Sequence, residues 1–156
     1  MGLFDLFKKN PLPSAARGTG SPATRFRLVH GKCPACGALA EMDIYDTLDA
    51  SEDSPAFLRL LEARLNSAVC SCGQSISAVC PLLVHVPESG RVFFLAPGKM
   101  PECDQNAAAD QLMHRLLARY QPPPSYLTNL DVVAVNDHEY EAFAAYILKN
   151  LQRPLI

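Results

Sequence analysis

Apolar and polar positions along the chain fall into short alternating stretches and longer helical ones, separated by turn residues. In RFRLVHG, Phe26, Leu28 and His30 alternate with Arg25, Arg27 and Val29, the period of a strand. A second strand is expected over ALAEMDIYDTL, after Cys36 and Gly37, followed by a turn-rich DASEDS. Ser54 then reads as an N-cap with Pro55 at the first helical position. Phe57, Leu58, Leu61 and Leu65 predict one face of a helix that ends near Asn66. Strands are expected again over 67–70, 75–86 and 91–95, separated by the turns CSCG and PESG, which predicts an antiparallel meander. Asp104 is placed to cap a helix over 105–120, where Ala109, Leu112, Met113, Leu116, Leu117 and Tyr120 recur at helical spacing. Pro122 to Pro124 stop that helix, and DVVAV adds a short strand. Asn136 with Glu139 resembles a capping box, opening a last helix whose Tyr140, Phe143, Ala144, Ile147 and Leu151 face the core.

The first 24 residues follow a different pattern. Residues 1–9 set Leu3, Phe4, Leu6 and Phe7 near one side of a helix too short to fold alone, with Lys8 and Lys9 at its end. This segment reads as a frayed or back-docked terminus, or as a weak docking peptide for a membrane surface or a partner. Gly2 does not complete a lipidation motif, because Leu6 stands where Ser or Thr is required. Residues 10–24, rich in Pro, Gly, Ser and Ala, predict a flexible linker, and a single domain is expected over 25–152.

Composition narrows the function classes. A chain of 156 residues suffices for one domain that buries about 70% of its unfolded surface. With 14 Lys+Arg against 16 Asp+Glu, no basic excess remains to neutralise a phosphate backbone, so nucleic acid is not an expected partner. No apolar run approaches the ~20 residues of a membrane span and no export signal is visible, so a cytoplasmic location is expected. Six Cys in such a reducing compartment point to metal or redox chemistry rather than structural disulfides. Between Glu41 and Asp53 stand six acids and no base; they read as a solvated face and loop, or as a cation or basic-partner site.

The strongest chemical signal is Cys33-Pro34-Ala35-Cys36-Gly37 followed at long range by Cys70-Ser71-Cys72-Gly73. Zn²⁺ takes four ligands in a tetrahedron, and two short chelating turns supply four thiolates with little further ordering of the chain. In the first corner, proline fixes φ while glycine permits the positive φ that turns backbone N–H groups toward sulfur. The second corner, with one intervening residue, is the weaker chelate. The competing chemistry is thiol–disulfide exchange at Cys33 and Cys36, as an oxidoreductase or redox sensor. That chemistry wants its motif at the start of a long helix, and a strand is expected here instead.

The corners CPACG and CSCG, the helix between them and the later string Pro81-Leu82-Leu83-Val84-His85 resemble the bacterial CpXC domain, over about residues 29–97. That resemblance implies a zinc-binding domain with two Cys-Pro-x-Cys-type corners. Val69 occupies the position where the family's second corner begins, and Cys70 stands one residue later. Cys70, Cys80 and His85 therefore compete for the fourth ligand place beside Cys33, Cys36 and Cys72, with Cys70 nearest. Otherwise Cys80 is a small buried hydrophobe, His85 a half-buried strand residue bonded to backbone, and Cys103 a free thiol.

No nucleophile elbow, Walker lysine loop or dinucleotide fingerprint is present, so the sequence gives enzyme function no support. The nearest catalytic option is a zinc with three protein ligands and a water. The combined expectation is an α+β domain. In it, a zinc-ribbon-like antiparallel sheet (ribbon core 29–97) carries one inserted helix and two C-terminal helices (104–152). Zinc is structural, and the partner is another protein.

Overall fold

The computed structural model describes residues 22–78, 80–120, 122–128, 130–135 and 140–151. The segment 1–9, most of the linker and the capping box at Asn136 and Glu139 lie outside the described residues. The elements are β1 (Arg25–Lys32), β2 (Leu39–Asp49), α1 (Ser54–Leu61), β3 (Ser67–Val69), β4 (Ser75–Ser77), β5 (Leu82–Val86) and β6 (Arg91–Pro97). They continue with α2 (Glu102–Arg119), a 3-10 turn (Ser125–Thr128), β7 (Leu130–Val135) and α3 (Tyr140–Leu151). The architecture is α+β, with one helix inserted between strands and two towards the C-terminus.

Strands β5 and β6 are the centre of a five-stranded sheet of order β1-β2-β5-β6-β7. They are buried almost throughout because both faces of the sheet are covered. Alternation sends Leu82, Val84, Val86, Phe93 and Leu95 to one face. There they pack with Phe57 and Leu60 of α1 and Phe143 and Ile147 of α3. Leu83, Val92, Phe94 and Ala96 point to the other face, under Ala109, Leu112 and Leu116 of α2.

The sheet is mixed, where the sequence led to the expectation of an antiparallel one. β1–β2 and β5–β6 are antiparallel, whereas β2–β5 and β6–β7 are parallel. Each parallel pair is joined by a crossover long enough to carry a helix: α1 covers one face between β2 and β5, and α2 covers the other between β6 and β7. Residues 75–86 likewise form two strands rather than one. β4 pairs with β3 in a separate hairpin, and β5 enters the main sheet beyond Pro81, which has no N–H to give to a ladder.

Helix boundaries also differ from the expected ones. Asp53, not Ser54, caps α1: its carboxylate accepts from the Ala56 N–H at 3.0 Å, which moves the cap back one residue. The helix ends at Leu61, because Ala63 and Asn66 adopt φ of 58° and 55°. Leu60 rather than Leu58 is buried on its core face. α2 starts at Glu102 after Pro101, without a side-chain cap from Asp104.

Asn66 fastens the small hairpin to the main sheet. Its Oδ1 accepts the Tyr45 backbone N–H at 2.7 Å and its Nδ2 donates to the Tyr45 carbonyl at 3.1 Å, so one amide side chain stands in for a strand beside β2. The Asn66 carbonyl in turn accepts from Ala78 N–H at 3.0 Å, behind β4. Asn66→Ala is expected to cost about 3 kcal/mol in urea unfolding, because it strands two backbone groups and forces a β-carbon residue without a polar tip into positive φ. A loss below about 1 kcal/mol would show that water replaces the amide at little cost.

Candidate metal centre

The β1–β2 hairpin and the β3–β4 hairpin each end in a cysteine corner, and the two corners face each other. The Sγ atoms of Cys33, Cys36, Cys70 and Cys72 all lie within 4.8 Å of one another. Cys33 and Cys72 are 3.7 Å apart, and Cys36 and Cys70 3.5 Å. These separations exceed the ~2.05 Å of a disulfide, and all four thiols are free. They lie close to the ~3.8 Å that sulfurs at ~2.3 Å from a common tetrahedral ion would show.

The two corners share one backbone design despite their different lengths. In the first, Gly37 N–H donates to the Cys33 carbonyl and Cys33 N–H to the Ala38 carbonyl, both at 2.8 Å. In the second, Gly73 N–H donates to the Cys70 carbonyl at 2.8 Å and Cys70 N–H to the Gln74 carbonyl at 2.9 Å. Gly37 and Gly73 close these turns with φ of 75° and 90°, a region costly for any residue with a Cβ. The shorter second corner is therefore the same knuckle with one residue removed. In both, the leading cysteine is buried (Cys33, Cys70) and the trailing one is exposed (Cys36, Cys72).

Electrostatics within the cluster are uneven. The backbone N–H of Cys72, with the Cys36 thiol, stabilises a thiolate on Cys70 and brings its pKa down to about 6. The Ala38 amide pulls Cys36 down, but the thiols of Cys70 and Cys72 outweigh it, and Cys36 is pushed up to about 12. A reactive Cys33–Cys36 pair would need its exposed thiol acidified, ordinarily at a helix N-terminus. Here the exposed thiol is held protonated and strand β2 follows the corner.

The cluster does not include Cys80, Cys103 or His85. Cys80 accepts from Asn66 Nδ2 at 3.6 Å and lines a cleft with Arg27, Asp46 and Leu112, where burial raises its thiol pKa. Cys103 is exposed at the start of α2. His85 is fully buried rather than half-buried, and it bonds to side chains rather than to backbone. Its Nδ1 meets Asp49 Oδ2 at 2.9 Å and its Nε2 meets the Tyr126 hydroxyl at 3.0 Å.

Of the acids between 41 and 53, most are engaged within the fold. Asp49 is fully buried and accepts from the Tyr120 hydroxyl and the Ser51 N–H. Asp46 meets Arg115 at 2.8 Å, Asp53 caps α1, and Glu52 accepts from the Ala23 and Thr24 N–H groups. The Asp49–His85 pair escaped sequence reading. Its only signal was a histidine inside an otherwise apolar central-strand run, LLVHV, where both ring nitrogens must find partners.

A family model described as CpXC protein matches residues 32–143. The chain belongs to the CpXC family. The match spans both corners and continues through α2 and β7 into α3, beyond the stretch on which the resemblance rests in the sequence. No curated protein and no solved structure matches the chain.

Proposed function

We propose that this CpXC protein holds one zinc ion on Cys33, Cys36, Cys70 and Cys72, and that the metal is structural and braces an interaction module for another protein. The observation that carries the reading is the meeting of four sulfurs from two like-folded corners within 4.8 Å. Four thiolates in a near-tetrahedral set suit Zn²⁺ and fill its coordination shell, leaving no open position for substrate or water. Cys70 is the fourth ligand in this reading: the second knuckle points its sulfur at Cys36, and its thiol loses its proton most readily of those shifted in the cluster. In this reading the two knuckled hairpins, clamped at their tips, make a zinc ribbon at the edge of the five-stranded sheet. Among the described residues, no helix is long and apolar enough to cross a membrane. The exposed Phe26, Leu28 and Leu39 on the ribbon support a role in binding another protein.

The test is elemental analysis of untagged protein purified without added metal, together with single Ser substitutions. About one zinc per chain is expected. Cys70→Ser should weaken zinc binding at least tenfold and remove one thiolate charge-transfer band from the cobalt-substituted protein. Cys80→Ser and Cys103→Ser should leave stoichiometry and spectrum unchanged. Loss of zinc on Cys80→Ser instead would mean that Cys80 completes the site, and metal-free protein with a reversible Cys33–Cys36 disulfide would favour the oxidoreductase.

A further inference from the structure

Strand β1 ends the five-stranded sheet, and its outward backbone can be identified from its neighbour. Tyr45 spends both its N–H and its carbonyl on Asn66, away from β1, so its partner Phe26 sits in a non-hydrogen-bonded pair. By alternation, Leu28, His30 and Lys32 are in the same class, opposite Asp43, Glu41 and Leu39. The hydrogen bond from Cys33 N–H to the Ala38 carbonyl, one step beyond Lys32, fits this phase. The N–H and C=O groups of Phe26, Leu28, His30 and Lys32 therefore point out of the sheet, with no strand beyond β1 among the described residues.

Edge strands of this length are ordinarily shortened, covered, bulged or charged, and of these devices the length of β1 beyond its first residue shows only charge. The only irregularity of β1 lies at its start, between Arg25 and Phe26. Phe26 and Leu28 stand on one face at 52% and 55% exposure, enough to leave room for side chains beside them. Arg25, Arg27 and Lys32 give the strand positive charge, and it holds no acid. Arg25 and His30 face Asp46 and Glu41 across the ribbon, whereas Arg27 and Lys32 have no ion pair among the described residues. Antiparallel pairing of two copies through this edge would set Phe26 opposite Lys32 and Leu28 opposite His30 where the full strands overlap, or Arg27 opposite Arg27 where Phe26 meets Leu28, which opposes self-association.

We propose that the outer edge of β1 receives an extended, acidic segment of a partner protein as an added strand. Backbone bonds to Phe26, Leu28 and His30 supply affinity. Apolar side chains beside Phe26 and Leu28, with an acid on the opposite face at Arg27, supply selectivity. The inference rests on the reading of this protein as an interaction module and gives that module its surface and its class of partner.

The test uses the full chain with its zinc content measured and two synthetic decapeptides, one alternating valine with glutamate and the other valine with lysine. The acidic peptide is expected to bind at least tenfold more tightly and to slow amide exchange at Phe26, Leu28 and His30. Arg27→Glu should reverse the preference between the peptides. Leu28→Pro removes an outward donor while sparing the bonds that Arg27, Val29 and Gly31 make to β2, and it should abolish binding with zinc content and thermal transition intact. If Leu28→Pro unfolds the chain, Arg27→Glu decides alone. Failure of the folded, zinc-loaded protein to bind, equal binding of both peptides, or protection away from β1 would overturn the proposal. Protection of β1 that rises with protein concentration in the absence of peptide would overturn it in favour of a second copy. Specific binding at β1 by a chain that holds no zinc would sink the metal reading and leave this one standing.

Discussion

Stripping the metal with a strong chelator is expected to lower the melting temperature by about 10 °C or more, and to do so from the ribbon inward. The proposed clamp would join residues near 33 to residues near 70, so releasing it would return to the unfolded chain the entropy of a loop of some tens of residues. A cross-link of that span is worth about 3–4 kcal/mol, and for a chain of this size each kcal/mol moves the transition by about 2–4 °C. The effect is local first, because no corner cysteine belongs to either core cluster. Leu83, Phe93 and Phe94 stay packed between helices while the tips of the two hairpins lose the link that the metal would make between them. Amide exchange should therefore accelerate at Cys33, Gly37, Cys70 and Gly73, whose N–H groups close the two corners, before it does in β5 and β6. The readouts are calorimetry and exchange with and without chelator, with metal content followed in parallel. A transition that stays within a degree or two after verified removal of zinc would show that the corners do not brace the fold.

The elements themselves were legible because their signals are local. Alternation in RFRLVHG, the Pro55 start of α1, the apolar spacing through Leu112 and Leu116 and the arrest at Pro122 need no knowledge of what packs where. The first cysteine corner was legible for the same reason: proline and glycine set its turn within five residues. The second was harder, since Cys70-Ser71-Cys72 has an unusual spacing, and its equivalence to the first appears only in the paired hydrogen bonds to Ala38 and Gln74. Pairing direction was not legible. Whether Leu48 runs parallel or antiparallel to Val84 depends on the path of the thirty-odd residues between them, and no pattern within β2 encodes that path. Asp49 was hidden by its company. As one acid of six in a polar stretch it reads as solvated, yet the displacement in β1–β2 register at Arg25/Phe26 lets Tyr45 and Leu48 share a face while Thr47 and Asp49 turn under α2.

That turn buries a charge, so the second large effect is expected at Asp49 and His85. Both side chains are fully buried, and each satisfies the other: His85 Nδ1 lies 2.9 Å from Asp49 Oδ2, with Tyr120 donating to the carboxylate and Tyr126 at the far ring nitrogen. Burial pushes the Asp49 carboxyl pKa up, but the hydrogen bond and charge of His85, with Ser51 and Tyr120, outweigh it and hold the pKa below the ordinary value. His85→Ala leaves a carboxylate without its main partner under α2 and should cost about 3–5 kcal/mol, with Asp49→Ala in the same range. Tyr126→Phe, which removes one hydroxyl from a partly exposed residue, should cost only about 1 kcal/mol. The sign of the pH dependence follows from the depressed carboxylate. Its contribution is fully present above the unfolded value near 4 and is lost as pH falls through the lower folded one, so the wild-type acid limb should be steeper than that of Asp49→Asn. Urea unfolding between pH 3 and 7 reads both effects. His85→Ala within 1 kcal/mol of wild type, or superimposable acid limbs for wild type and Asp49→Asn, would mean that water enters and solvates the pair, and that the network under α2 fills space without holding the sheet to the helix.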